Sequence, residues 1–334
     1  MAHPNPLDKL PARAKARLRK IAQPAWVPPM LATLTDKRFS REGWLFEPKW
    51  DGERCLAFRN GGHLQLFSRN QKRLNDKYPE ITAAFHRQDT GSFIADGEIV
   101  AFKNGVTSFA KLQQRMQVEH PPANLLRVVP VWLYLFDLLY LDDYDTRQVP
   151  LRYRKQILRD TFDFRNSLRF TEHRETEGEA YYQQACRRRW EGLIAKNGDS
   201  EYVSKRTRDW LKFKCTREQE FVIGGYTDPQ GERSGFGALL VGFYRRGKLV
   251  YAGKVGTGYD SATLQRLARQ LARLETAICP FVGDGLPRRS VHWVKPNLVA
   301  QIGFTEWTPA EKLRHPRFLG LRQDKKPEEV VREG

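Results

Sequence analysis

Cysteine is scarce in this chain: four among 334 residues, at Cys55, Cys186, Cys215 and Cys279, with no C-x-x-C pair. That spacing argues against a four-cysteine zinc module and against a disulfide framework, so the four are expected to be scattered thiols in a reducing compartment. Histidine is also sparse, and His63, His120 and His315 show no metal-ligand spacing. No apolar run approaches the ~20 residues that cross a bilayer. The best candidate, Val128 to Leu141, is closed by Asp142 and Asp143. The N-terminus lacks the apolar stretch of a secretory signal, and strand-like sequence begins too soon for a transit peptide. Acidic residues are short as well. Lys and Arg number 57 against 39 Asp and Glu, a net charge of +18. Such an excess calls for a polyanion or a strongly anionic substrate, through Coulomb attraction and counterion release. Charge alone does not separate an enzyme acting on nucleic acid from a packaging protein or an RNA-binding module.

What is present argues for packed cores: 40% hydrophobic and 12% aromatic residues in a length that suits two domains. Met1 to Pro29 reads as a short basic helix followed by an extended, proline-rich lead-in. Strand-like runs follow at Gly43–Pro48, Cys55–Arg59, His63–Ser68, Phe93–Phe102 and Val129–Leu141. Helical segments fall around Tyr78–His86, Phe109–Arg115, Arg152–Asp160 and Glu177–Trp190. With hairpin turns such as Asn60-Gly61-Gly62, this mixture predicts an α+β domain with largely antiparallel sheet. After Lys214 the texture changes to strands at Glu220–Tyr226, Gly237–Arg245, Lys248–Val255 and Val291–Trp307, with one helix at Ser261–Glu275. Short strands with a single helix predict a small barrel such as the OB-fold. The domains are therefore expected at residues 1–216 and 217–334, with a loose polar tail from Lys325 to Gly334.

Five segments carry candidate chemistry. In Glu47-Pro48-Lys49-Trp50-Asp51-Gly52-Glu53-Arg54 an extended backbone turns Glu47, Lys49 and Asp51 to one side, and Gly52 allows a turn before Arg54. A lysine among carboxylates and cations can lose its proton and act as a nucleophile, although a surface salt-bridge cluster fits the same residues. Asp96 and Glu98 share a face of an apolar strand, which suits a cation or a ribose hydroxyl, or else a strand emerging into solvent at Gly97. Glu191 and Lys196 bracket a short apolar strand, a weak signal. Lys212 and Lys214 lie on one face of Trp210-Leu211-Lys212-Phe213-Lys214, where a phosphate would satisfy both; a solvated strand face is the plainer reading. Phe136, within the run Trp132 to Tyr140, is either a core aromatic or a base-stacking ring.

The set, in this order and spacing, resembles the nucleotidyltransferase motifs of ATP-dependent DNA ligases, shared more loosely with RNA ligases and mRNA capping enzymes. The segments KWDGER, SRN, ADGEIV, LFD, EGLIAK and WLKFK carry it, and the wording from Val294 to Lys325 is similar to the terminal region of bacterial DNA ligase D and DNA ligase C. The resemblance implies a nucleotidyltransferase domain followed by an OB-fold domain. It implies that Lys49 carries AMP as a phosphoramidate, that Glu47 reads the adenine edge, and that Phe136 stacks on the base. Arg54, Arg69 and Glu98 would hold ribose and phosphate, with Glu98 and Glu191 in reach of Mg²⁺ or Mn²⁺. Lys212 and Lys214 would hold the α-phosphate, and Arg322, Asp324 and Lys325 would orient the leaving pyrophosphate when the barrel domain closes.

The implied reaction is ATP-dependent sealing of 5′-phosphate/3′-hydroxyl nicks in duplex DNA by a cytoplasmic, nucleoid-associated monomer acting in repair, with Ku a candidate partner. The nearest alternative is an RNA ligase or a capping-type nucleotidyltransferase. A decayed, non-catalytic binder is disfavoured by Lys49, Glu98, Glu191, Lys212 and Lys214, and an NAD-dependent ligase by the missing zinc module. The chain is expected to act as a bare catalytic core that grips DNA through its basic surface. Two residues depart from the family pattern. Gln71 stands where a glycine is common, which leaves the setting of the Arg69 loop open. Pro48 removes a strand donor beside the nucleophile.

Overall fold

The computed structural model describes residues 5–215, 218–229, 235–287 and 289–333. The chain divides into two compact units, Met1–Cys215 and Thr216–Gly334.

The first unit holds two large sheets and a two-stranded ribbon, Phe102–Lys103 with Val106–Thr107. Its main elements in chain order are β1 (Leu31–Leu34), β2 (Trp44–Pro48), β3 (Glu53–Asn60), β4 (His63–Ser68), α1 (Pro79–His86), β5 (Phe93–Val100), α2 (Phe109–Met116), β6 (Trp132–Leu141), α3 (Leu151–Thr161), α4 (Gly178–Arg187), β7 (Gly192–Asn197) and β8 (Arg206–Lys214). One sheet is built on β6, followed by β5, β3 and β4 as antiparallel neighbours. The other runs β2, β7, β8 and β1, with β1 parallel to β8 and the rest antiparallel.

The alternation along β6 sorts its side chains between two cores. Leu133, Leu135, Leu138 and Leu141 join Tyr78, Phe85, Leu112 and Leu158 in the main helix-covered core. Phe136, Leu139 and Tyr140 instead join Leu56 and Ile94 of their own sheet with Trp210 of the other. The two sheets therefore meet face to face at Phe136. On its far side the second sheet buries Phe46, Leu193, Leu211 and Phe213 against Tyr181 and Ala185 of α4. One buried ion pair inside this unit is fully matched. Arg154 is fully buried and donates to both oxygens of Asp137 at 2.7 and 2.9 Å, and to the carbonyls of Val149 and Ser200. Removing one member of such a pair would cost about 3–5 kcal/mol.

Three expectations for this unit need correction. The N-terminal segment is not a free basic helix: a 3₁₀ turn (Pro6–Lys9) and one α-turn (Ala12–Lys15) bury Leu7, Leu10 and Ala14 in the main core. Strand β1 follows the proline-rich lead-in where no strand was expected, pairing with β8. The cysteines are not all thiols. Cys186 and Cys215 form a disulfide with their Cα atoms 5.1 Å apart, whereas Cys55 and Cys279 are free. Their separation hid the pair, which exists because α4 covers the β7–β8 hairpin and brings its own C-terminus to the end of β8.

The second unit is a mostly antiparallel sheet with one α-helix, in keeping with the OB-fold expectation; a parallel pair joins Lys248–Val255 to Phe281–Val282. Its elements are β9 (Glu218–Thr227), β10 (Leu239–Arg245), β11 (Lys248–Val255), α5 (Ser261–Ala272), β12 (Val291–Gly303) and β13 (Arg317–Arg322), ordered β13, β12, β9, β10, β11. Helix α5 opens on Asp260, whose side chain accepts from the Thr263 N–H at 2.7 Å, and buries Leu264, Leu267 and Leu271. The single strand expected over Val291–Trp307 ends at Gly303, and Glu306–Trp307 pairs with Leu313–Arg314 in a separate ribbon. The tail is not loose. Val330 is buried in the barrel core, its carbonyl accepts from the Tyr244 N–H at 2.7 Å, and Pro327–Glu329 forms a 3₁₀ turn. No helix among the described residues is long and apolar enough to cross a membrane.

A cross-link closing a loop with a sequence separation of 29 restricts the unfolded chain, an effect worth about 3.6 kcal/mol on an entropic account. Cys186→Ser is therefore expected to destabilise the first unit by about that amount in denaturant melts without reductant. Equal stability of variant and parent would show that the bond contributes nothing in solution.

Candidate active site

The site is set by strand register. Across β2, β7 and β8, Glu47 lies opposite Ile194 and Ile194 opposite Lys212. One row on, the Lys49 N–H donates to the Gly192 carbonyl at 2.9 Å, and Gly192 lies opposite Lys214. Two residues the other way, Leu45, Lys196 and Trp210 form a third row. Residues directly opposite in an antiparallel sheet point to the same side. One face of this sheet thus presents Glu47, Lys49, Lys196, Trp210, Lys212 and Lys214, and it is the face turned toward Phe136.

Gly192 keeps this face open between two lysines. Its φ is +151°, and a Cβ there would lie 1.9 Å from the Phe213 carbonyl oxygen. Gly52 answers a similar demand at the other sheet, where a Cβ would lie 2.1 Å from the Ile99 carbonyl oxygen. The Asp51 carboxylate accepts the Phe109 N–H at 3.1 Å at the start of α2. Trp50 stacks on Tyr134 with ring centroids 4.1 Å apart and donates to the Thr171 hydroxyl at 3.2 Å. The two middle residues of the K-x-D-G segment are therefore anchors that hold Lys49 in place.

Lys49 Nζ pairs with Glu191 Oε1, and its side chain is about one-fifth exposed. The second carboxylate oxygen, Glu191 Oε2, is buried without a hydrogen-bond partner. Glu47 is nearly sealed, 2% exposed, and each of its oxygens has its own cation: Lys155 Nζ at 2.6 Å on Oε1 and Lys196 Nζ at 2.6 Å on Oε2. Burial alone would raise the Glu47 pKa, but the two ammonium groups hold it below the usual carboxylate range. Burial pushes Lys196 down to about 8, against the pull of Glu47 and helped by the charge of Lys155. The Lys196 ammonium sits 4.2 Å from the Phe136 ring centroid and 4.1 Å from that of Trp210.

On the facing sheet, Arg54 donates to both Asp96 oxygens at 2.6 Å and to the Met30 carbonyl at 3.2 Å, while the Tyr202 hydroxyl donates to Asp96 at 2.6 Å. The Arg54 guanidinium lies 4.8 Å from the Phe136 centroid. Phe136 is 7% exposed, so a base stacking on it must displace one of these cations. Glu98 lies in register between Arg54 and Tyr134. Arg69 follows the end of β4 in a turn closed by the Gln71 N–H on the Ser68 carbonyl at 2.9 Å. Gln71 has φ +59°, so it adopts the left-handed conformation that glycine takes without strain.

The first unit thus gathers Glu47, Lys49, Arg54, Glu98, Phe136, Glu191, Lys212 and Lys214 around one sheet-to-sheet space, with Arg69 in a turn at the edge of the facing sheet. Arg322 and Lys325 belong to the second unit. There Arg322 donates to both oxygens of buried Asp324 at 2.9 and 2.7 Å, and Lys325 lies 3.4 Å from Glu220. Burial would raise the Asp324 pKa, but Arg322 holds it below the ordinary carboxylate value. Sequence reasoning assigned no role to Lys155, Lys196, Trp210 or Tyr202. Lys196 closes the EGLIAK segment and was within reach of that reading, whereas Lys155 carries no signal in the sequence. Among the described residues no three His, Cys, Asp or Glu side chains gather as a ready-made metal cage. The orphaned Glu191 Oε2 nevertheless suits a hard divalent ion held by one carboxylate and by substrate phosphates.

Comparison with known proteins gives concordant results. Residues 29–214 match the family model described as ATP dependent DNA ligase domain, and residues 232–325 match that of the ATP dependent DNA ligase C terminal region. The multifunctional non-homologous end joining DNA repair protein LigD of Mycobacterium tuberculosis is 38% identical over 314 residues, covering 91% of this chain and 40% of that protein. LigD of Pseudomonas aeruginosa is 34% identical over 331 residues, covering 97% and 38%. A solved structure of mycobacterial DNA ligase D complexed with ATP and MES superimposes with a TM-score of 0.65 at 34% identity, covering 91% of this chain and 98% of that one. The chain spans about two-fifths of the length of these curated relatives.

Relief of the left-handed strain makes Gln71→Gly stabilising by about 0.5–1 kcal/mol, after allowance for the extra freedom glycine gives the unfolded chain. A thermal melt should register an upward shift of about 2 °C. A lower melting temperature would mean that the Gln71 side chain holds the loop.

Proposed function

The chain belongs to the ATP-dependent DNA ligase family, and from that premise we propose that it seals 5′-phosphate/3′-hydroxyl nicks in duplex DNA through a lysyl-AMP on Lys49. The observation that carries the reading is the register that sets Lys49 beside Lys214 across the side-chain-free Gly192, with Glu47 and Lys212 one row away. Once deprotonated, the Lys49 amine attacks the α-phosphorus of ATP, the bond to the β-phosphate oxygen breaks, and pyrophosphate leaves in line. The two lysines of β8 neutralise charge on the α-phosphate as it develops. Glu191, paired with Lys49 in the free chain, holds the ammonium until the phosphate arrives and then keeps its inner oxygen turned toward the reacting centre. A divalent ion, Mg²⁺ or Mn²⁺, would be held by Glu191 and Glu98 and supplies further charge neutralisation on the phosphates.

The remaining roles follow the same geometry. Glu47, about two residues' rise along the strand from Lys49, faces the 6-position of adenine. Phe136 takes the base on its ring, and Lys196 is the cation that yields, because Arg54 is fixed by three hydrogen bonds. Arg54 and Arg69 border the ribose and phosphate side. Arg322 and Lys325 act on the leaving pyrophosphate. AMP then passes to the 5′-phosphate of the nick, and the 3′-hydroxyl displaces it. The LigD relatives are named as non-homologous end joining proteins, which supports a place in end joining; a cytoplasmic, nucleoid-associated monomer with Ku as its partner is the rest of the proposal.

The decisive experiment is sealing of a nicked duplex bearing a 5′-phosphate, with ATP and either metal, by the parent and by Lys49→Ala. The parent is expected to seal, and the variant to lose at least about 1,000-fold of that rate and all lysyl-AMP, since no other amine occupies its place. Absence of sealing by the parent where a control ligase works, with sealing of RNA or capping instead, would overturn the substrate assignment. With a charge of +18, binding to nicked DNA should weaken by orders of magnitude between about 50 and 200 mM salt. Salt-independent binding would mean that the basic surface does not provide the grip.

A further inference from the structure

The adenine-facing carboxylate is held by a residue that belongs to no recognisable motif. Lys155 leaves α3 and is 1% exposed. Its ammonium rests on Glu47 Oε1 at 2.6 Å, on the Thr171 carbonyl at 2.9 Å and over the Phe170 ring at 4.6 Å. Lys196 takes the other oxygen of the same carboxylate from the opposite strand. A carboxylate offers about four lone-pair sites. Cations from different elements thus stand at both oxygens, and the hydrogen bond from Lys155 holds one of those sites.

We propose that Lys155 is a positioning residue that fixes Glu47 as an immobile acceptor and thereby sets the preference of the site for a 6-amino over a 6-oxo purine. The inference rests on the reading that Glu47 meets the base. Adenine presents a donating 6-amino group to such an acceptor. Guanine presents a carbonyl there, which a carboxylate repels. A carboxylate free to swing could instead accept from the guanine N1–H and 2-amino group, as an anchored one cannot. Selectivity then depends on the anchoring as much as on the presence of Glu47. Of the two anchors Lys155 is the steadier, since Lys196 is pushed down to about 8 and borders the base-stacking ring.

The test is lysyl-nucleotide formation by the full chain with α-labelled ATP or GTP, comparing kcat/KM for the two nucleotides. Lys155→Met is expected to lower the ATP-to-GTP ratio at least tenfold and to raise KM for ATP while kcat at saturating ATP falls less. A merely structural role would depress both nucleotides alike and leave the ratio unmoved. Removing a buried charge can unfold a domain, so Lys155→Arg serves as the second variant. It keeps the positive charge, but its planar fork does not fit the ammonium seat, and the ratio is expected to fall at least threefold with the melting temperature preserved. A ratio within twofold of the parent in either folded variant overturns the proposal. Glu47→Gln separates the two levels of the argument. If it collapses the ratio while the Lys155 variants do not, only the role of Lys155 fails. If it leaves the ratio intact, the assignment of Glu47 to the base fails, and the inference with it.

Discussion

The pairing of Trp44–Pro48 with Gly192–Asn197, and of that strand with Arg206–Lys214, is the constraint on which the rest of the first unit depends. Side chains in a sheet alternate, so a slip of one residue in either ladder would send Lys49 or Lys212 and Lys214 into the apolar core beneath α4. The register is locked because the opposite face has no tolerance for charge. Phe46, Leu193, Leu211 and Phe213 fill it completely. Gly192 adds a second lock, since only a residue without a side chain permits the close approach of the Phe213 carbonyl. The hydrophobic face thus dictates the chemistry of the polar one.

The polar face carries an unusual charge arrangement. Lys49, Lys155, Lys196, Lys212 and Lys214 lie on or against this face, with Glu47 paired to Lys155 and Lys196 and Glu191 paired to Lys49. Part of the repulsion is met locally by the two-sided clamp on Glu47, by the depressed Lys196 and by aromatic faces on either side of that ammonium. The rest suits a ligand that brings negative charge of its own, which a nucleoside triphosphate does. Across the space, Arg54 is tied to Asp96, which also accepts from the Tyr202 hydroxyl, so the facing sheet offers a rigid wall rather than a second loose cation. A rigid wall and a charged floor are the combination that orients a reacting phosphate.

Much of this was legible from local pattern. The alternation in WLKFK places Lys212 and Lys214 together and apart from Leu211 and Phe213, and the strand register keeps them so. The heptad-like leucines at Leu264, Leu267 and Leu271 announce the barrel helix, and they are buried. Local pattern failed wherever the partner was remote. Nothing near Cys186 indicates Cys215. The N-terminal segment reads as basic and soluble because its charged residues outnumber Leu7, Leu10 and Ala14, yet those three decide where it goes. The run Val291–Trp307 has one strand's propensity throughout, but pairing with Leu313–Arg314 splits it after Gly303. The tail from Lys325 looks dispensable until Val330 is found in the barrel core.

The sequence by itself determined which residues are available for nucleotide chemistry and in what order. Each motif is a short strand or turn whose spacing fixes which side chains share a face, and that spacing is covalent. Tertiary structure decided how those residues are set. It brought Glu191 to Lys49 and left one oxygen of that carboxylate unsatisfied. It enclosed Glu47 between a helix lysine and a strand lysine, and turned Phe136 out of the main core toward the second sheet. These are meetings between segments tens of residues apart, governed by sheet register and by the burial of apolar faces. No local pattern encodes them, because the energy that selects them is that of the assembled core.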